Sequence, residues 1–280
     1  MANAEMCLQL APRHCTACHG FHLSAIMRRA TLPIDQRIGD FAEFQAATSQ
    51  VLAQARSTSN PVRVIIGGTT DTGLYAGLLN AAVTVGGPGF ARSLDVTIID
   101  RCQTPLEICN SYARENDLHL TTIRADMAEF QPDAPVGLIL MHGVLSFIPL
   151  TKRLSFLRHL GAWLTPDGRV ISSTQMGHRR GTTEREARVD QALQNLKTVL
   201  ADSTGMDRTE SELLERQLKE GMLARSQHAN LFNTEEDAIK FYENADLTVV
   251  SFTCIETGKR TIHGLERRYT QRGLAVCSRS

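Results

Sequence analysis

Seven residues, GGTTDTG (67–73), two acids further on, Asp100 and Asp126, and one histidine, His142, carry most of the chemistry that this sequence can do. A glycine-rich turn lets backbone approach a ligand closely, and glycines followed by Lys and Ser or Thr cradle phosphate. Here Gly68 and Gly73 are followed by Leu74 and Tyr75, so the phosphate-neutralising lysine is absent. The dinucleotide spelling G-x-G-x-x-G fails too, because two residues after Gly67 stands Thr69. Asp100 closes the run VTIID, where a carboxylate can accept from both ribose hydroxyls. Asp126 follows TTIRA, where a carboxylate can accept from an adenine amino group. Acids near the turn repel a pyrophosphate and attract a cation, so the pair favours a positively charged nucleoside, such as a sulfonium with an amino-acid tail, over a dinucleotide. His142 has an ordinary pKa near neutrality and can take a proton from a hydroxyl, thiol or ring nitrogen, or hydrogen-bond its own loop.

A second group of reactive side chains lies near the start: Cys7, His14, Cys15, Cys18, His19 and His22. CTACH (15–19) spells covalent haem attachment, but no export signal precedes it. C-x-x-C is also half of a structural zinc site. The matching half is missing, so these residues are read as ordinary thiols and no metal ligand is assigned.

These groups need a frame. Short β-rich runs at 62–66, 96–100, 118–123, 136–141 and 169–174 alternate with helical patterns at about 72–83, 105–116 and 151–164. Such alternation implies parallel strands joined by right-handed crossovers, a three-layer α/β sheet whose first strand-to-helix turn lies where ligands bind. Thr104, Pro105 and Glu107 have capping-box register for the second helix, as do Asn233 and Glu236 for a helix in NTEEDAIKFYENA. DLTVVSFTCI and GLAVCSRS read as two antiparallel strands around a span with Gly258 and Gly264. Helical spacing of Ile34, Ile38, Phe41, Phe44, Val51 and Leu52 predicts a helix over 33–55, and 184–225 reads as two charged amphipathic helices. The expected organisation is a helical N-terminal extension over 1–60 and a nucleoside-binding domain over 61–280 with a helical insertion at 177–231.

The formal charge is zero, with 30 Lys+Arg against 30 Asp+Glu, which gives no electrostatic reason to expect nucleic acid or an anionic membrane as partner. The most apolar stretch, 136–150, is too short to span a bilayer. Neither a secretory nor a transit pattern opens the chain, and the seven cysteines are expected to be reduced, so a cytoplasmic location is expected. Assembly stays open, a homodimer included.

In order along the chain, VIIGGTTDTG, IIDRCQTPLEIC, RADM, LILMHGVLSFIP and LTPDGRVISS make residues 62–174 resemble the class I S-adenosylmethionine-dependent methyltransferases. The resemblance implies a doubly wound, mostly parallel seven-stranded Rossmann-like sheet with an antiparallel C-terminal strand, and helical N-terminal and lid additions. It implies S-adenosylmethionine as cofactor, with Gly67, Gly68 and Gly73 at the methionine portion, Asp100 on ribose, and Asp126 with Met127 at adenine. Thr69, Arg101 and His142 belong to the implied cofactor contacts as well. Ile65 or Ile66 stands where the family's usual acid holds the methionine amine, which leaves that role to Asp71. The loop MHGVLSFIP is not the Asn/Asp-Pro-Pro-aromatic signature of nucleobase or glutamine amino methylation, so the implied acceptor is a small molecule methylated on O, N or S. His142 is the candidate base, and Tyr75, Arg179 and Arg180 are the candidate acceptor contacts. A nicotinamide-dependent oxidoreductase and a non-enzymatic nucleoside- or metal-binding protein are the alternatives.

Overall fold

Val64, Ile65 and Ile66 in the first strand, and Val136 to Met141 in the fourth, are buried whichever face they point to. Strands covered on both faces are the centre of a parallel sheet. In the computed structural model, which describes residues 2–15, 18, 20–23, 25–26, 40–58, 61–177, 182–201, 207–225, 232–256, 260–262, 265–267 and 271–280, they are that centre. The strands are β1 Arg63–Gly67, β2 Asp95–Asp100, β3 Thr121–Arg124, β4 Val136–His142, β5 Leu164–Gln175, β6 Leu247–Glu256, β7 Arg260–Ile262, β8 Leu265–Arg267 and β9 Gln271–Arg279. Among the described residues seven of them form one sheet in the order β3-β2-β1-β4-β5-β9-β6, and β7 and β8 make a separate hairpin. β9 runs antiparallel to both neighbours, and the pairs among β1 to β5 are parallel.

The helices are α1 Ala2–His14, α2 Phe41–Thr58, α3 Gly73–Ser93, α4 Gln103–Glu115, α5 Arg153–Trp163, α6 Thr182–Ala201, α7 Arg208–Arg225 and α8 Glu235–Glu243. Period-2 alternation splits the core into two layers. Val64, Ile66 and Ile98 pack with Leu52 of α2 and Leu78 of α3, whereas Ile65, Ile99 and Met141 pack with Phe156 of α5 and Tyr242 of α8. A third apolar cluster joins Cys7, Leu8 and Ala11 of α1, Leu23 and Ile26, Cys102 and Ile108 at α4, Leu196 of α6, and Leu214 and Leu218 of α7. Helix α1, Leu23 and Ile26, and helices α6 and α7 therefore share one core with α4.

Several local expectations are corrected. The GGPG tract bends α3 at Gly87 (φ 76°) and the helix resumes to Ser93 instead of stopping near 83. Helix α4 starts at Gln103: the Cys102 N–H donates to Asp100 Oδ1 at 2.8 Å, and buried Thr104, inside the helix, turns its hydroxyl to Cys15 Sγ at 3.3 Å. The α8 cap is Thr234, whose hydroxyl accepts from the Asp237 N–H, and not Asn233. Two 3-10 turns, Val144–Phe147 and Leu150–Lys152, precede α5. Of the helix expected over 33–55, residues up to 39 lie outside the described part. Among the described residues no helix is long and apolar enough to cross a membrane.

Candidate functional site

Register decides which side chains meet. Gly67 pairs with Ile99 on β2 and with Met141 on β4, so the glycine turn, Asp100 and His142 leave three adjacent strands at one level. The strand order reverses between β1 and β4, the switch point where doubly wound sheets open a crevice. A small cleft lies there, lined by Phe41, Phe44, Gly68, Thr69, Thr70, Asp71, Leu74 and His142.

Gly68 takes φ +64°, and a β-carbon there would come 2.9 Å from Val144 Cγ2, so glycine is required twice over. Its N–H donates to Ile99 O, the Thr69 N–H donates to Asp100 Oδ2 at 3.1 Å, and the Thr69 hydroxyl donates to Asp71 O. Asp71 Oδ1 accepts from the Gly73 N–H at 2.8 Å, which places a carboxylate at the start of α3 on the cleft wall. Over Gly67 lies Met127: a β-carbon on Gly67 would fall 1.9 Å from its sulfur.

Asp100 and Asp126 do not line this cleft. Asp100, 9% exposed, braces the turn through Thr69 and Cys102, and His22 Nε2 stands 3.6 Å from its Oδ2. Asp126 Oδ1 accepts from the Ala128 N–H, the local capping use of an acid, while its Oδ2 lies 3.8 Å from Nε of the exposed Arg101.

His142 has a partner that no sequence signal marked. Asp40, 1% exposed just before α2, accepts from His142 Nε2 at 3.0 Å, from Arg272 Nε on β9 at 2.7 Å, and from the Ser173 hydroxyl on β5. Burial raises the Asp40 carboxyl, but the His142 hydrogen bond, the His142 and Arg272 charges and the Ser173 hydroxyl outweigh it and hold the group well below the usual carboxylate range. A buried acid with this many donors orients the imidazole rigidly.

No family profile matches the chain, and no curated protein matches it. Among solved structures, magnesium protoporphyrin IX methyltransferase from Synechocystis with SAH bound is similar at 14% identity and a TM-score of 0.50, over 88% of this chain and 85% of that one. TehB from Haemophilus influenzae matches at 14% identity and 0.49, over 82% and 62%. An S-adenosylmethionine-dependent methyltransferase from Clostridium acetobutylicum matches at 12% identity and 0.48, over 90% and 94%. The chain has the class I methyltransferase fold. Both the strand order with its antiparallel β9 and the Synechocystis structure carry that conclusion.

In this methyltransferase fold Tyr75 is a core residue, which corrects its expected place in the pocket. It is 1% exposed, its ring meets Tyr112 edge-on at 5.9 Å, and its hydroxyl reaches His119 O only at 3.4 Å; burial pushes its pKa up to about 12. Tyr75→Phe is therefore expected to change stability by under about 1 kcal/mol, read from urea midpoints, because so long a bond is worth little. Arg179 and Arg180 lie outside the described residues, as does His19. Cys7 is buried in α1 and His14 contributes its backbone carbonyl to Cys102 Sγ at 3.4 Å. Cys15, Cys18 and His22 gather around Cys102 at the carboxyl end of β2, with one ligand atom from each within 4.8 Å of all the others. C-x-x-C was the visible half of this group; Cys102 brings the other from the sheet.

Proposed function

We propose that the protein is an S-adenosylmethionine-dependent methyltransferase that acts on a small-molecule acceptor, with His142 as base. One observation carries the reading: on the methyltransferase fold, an Asp40-held histidine and the backbone of the glycine turn face the same cleft, at the switch point. The cofactor supplies an electrophilic methyl on a sulfonium. Gly68, Thr69 and Gly73 give its amino-acid tail close backbone approach, Gly67 makes room for Met127 behind them, and Asp71 accepts from the amine, the role for which the β1 isoleucines have no group. Asp100 accepts from ribose hydroxyls with the lone pairs that its two backbone donors leave, since a carboxylate offers about four. Asp126, Met127 and Arg101 border the base. Ionised Asp40 accepts from His142 Nε2 and holds the ring that takes the acceptor's proton. Phe41, Phe44 and Leu74 give the acceptor's body an apolar wall and keep water from the transfer.

Calorimetry tests the cofactor. Both S-adenosylmethionine and S-adenosylhomocysteine are expected to bind in the micromolar range, and Asp100→Asn to weaken both at least about tenfold by turning an acceptor into a donor toward ribose. Absence of heat from both ligands with folded protein would reject the reading.

A further inference from the structure

Cys15, Cys18 and His22 form a C-x2-C-x3-H run, and Cys102 follows Asp100 by two residues on the turn after β2. Folding brings them together from two separate parts of the chain. Cys15 Sγ and Cys102 Sγ are 3.8 Å apart, and one ligand atom from each of the four lies within 4.8 Å of the rest. Four ligands around a tetrahedral zinc, with Zn–S bonds of about 2.3 Å, stand about 3.8 Å apart along each edge. The spacing is that of a coordination shell.

A second observation points into the same space. His22 is 3% exposed, and its Nε2 lies 3.0 Å from Thr69 O. A carbonyl can only accept, so the ring proton is on Nε2 and Nδ1 carries a lone pair; that Nδ1 is buried and has no hydrogen-bond partner. A buried unsatisfied acceptor is costly, and a metal bond satisfies it. Holding the far nitrogen of a ligating histidine on a backbone carbonyl is how proteins fix the ring for a metal. The Thr104 hydroxyl, fully buried, stands 3.3 Å from Cys15 Sγ, where it can donate to a ligating sulfur.

The surroundings decide the ion. Leu8, Ala11, Leu23, Ile26, Leu196, Leu214 and Leu218 wall the group with hydrocarbon. Three sulfurs and one imidazole, with no carboxylate among them, suit a borderline-soft ion that accepts tetrahedral geometry. Four protein ligands also close the shell, which describes a structural site and not a catalytic one.

We propose that Cys15, Cys18, His22 and Cys102 bind one zinc ion that clips the N-terminal segment to the turn after β2. Binding displaces three thiol protons to solvent and involves no redox change. The assignment stands on these four side chains alone and holds whatever the cleft binds.

Protein purified without a histidine tag from zinc-supplemented cells is expected to contain about one zinc per chain by mass spectrometry. Exchange of zinc for cobalt is expected to give the intense visible bands of tetrahedral thiolate coordination. Cys15→Ser and Cys102→Ser should lose the zinc and the bands, and Cys277→Ser, which alters a buried cysteine in the sheet core, should keep both. The wild-type measurements do not depend on whether any variant folds. Zinc near zero with no cobalt bands, a Cys15–Cys102 disulfide in place of metal, or full zinc retention in Cys102→Ser would each overturn the proposal.

Discussion

Complete removal of zinc from wild-type protein is expected to lower the thermal midpoint by on the order of 10 °C, and restored zinc to return it. Structural zinc contributes on the order of 10 kcal/mol to folding small peptides, where nothing else orders the ligands. Here hydrophobic packing of α1 against α4, α6 and α7 does part of that work, so a loss of about 3–4 kcal/mol is the sensible expectation, and each kcal/mol moves the midpoint of a domain this size by about 2–4 °C. The effect should reach the cleft. His22 lies against Thr69 O and near Asp100 Oδ2, and both belong to the glycine turn and its brace. Affinity for S-adenosylhomocysteine is therefore expected to fall in the metal-free protein. By linkage, the same ligand should slow zinc loss to a chelator. Calorimetric scans with metal content measured on the same samples decide the matter: an unchanged midpoint in zinc-free protein refutes a structural ion.

The second large effect concerns Asp40. His142→Gln is expected to lower kcat about 10²- to 10⁴-fold with cofactor affinity nearly intact, since it removes a base and little binding surface. Asp40→Ala is expected to do more, because it strands Arg272 and His142 beside a buried void, at a cost of about 3–5 kcal/mol. The sign of the pH dependence follows from the depressed carboxyl. Unfolded Asp40 titrates near the ordinary value, and folded Asp40 below it, so its stabilisation is complete above about pH 4 and drains away as the pH falls through the folded value. Urea unfolding at pH 7 and pH 3 should show wild type losing stability on acidification and Asp40→Asn losing less of it. Equal losses would show that the Asp40 cluster does not drive acid unfolding.

Much of this was legible in the residues. The strand-helix alternation gave the sheet, and the runs expected at 62–66, 96–100 and 136–141 are β1, β2 and β4 to within a residue. Where the reading failed, tertiary contacts had overruled local signals. Thr104 looks like a cap, but Asp100 already supplies the acceptor at the start of α4 and the hydroxyl is drawn to a thiol from the other end of the fold. Tyr75 was misplaced although its helix carried the answer: Tyr75, Leu78, Leu79 and Ala82 recur at helical spacing and are all buried. Asp40 and Cys102 were illegible for a simpler reason. Each is a single residue whose meaning depends on partners about a hundred positions away, His142 for one and Cys15 for the other.

The tie between Asp40 and Arg272 spans 232 positions. A chain emerging from a ribosome has Asp40 long before it has β9, and until then the acid that orients His142 lacks its guanidinium. Strands β1 to β5 precede β9 along the chain, and the seat of Asp40 between His142 and Arg272 is complete only when β9 lies between β5 and β6. Under the proposed function, a chain truncated before β9 is expected to lack methyl transfer.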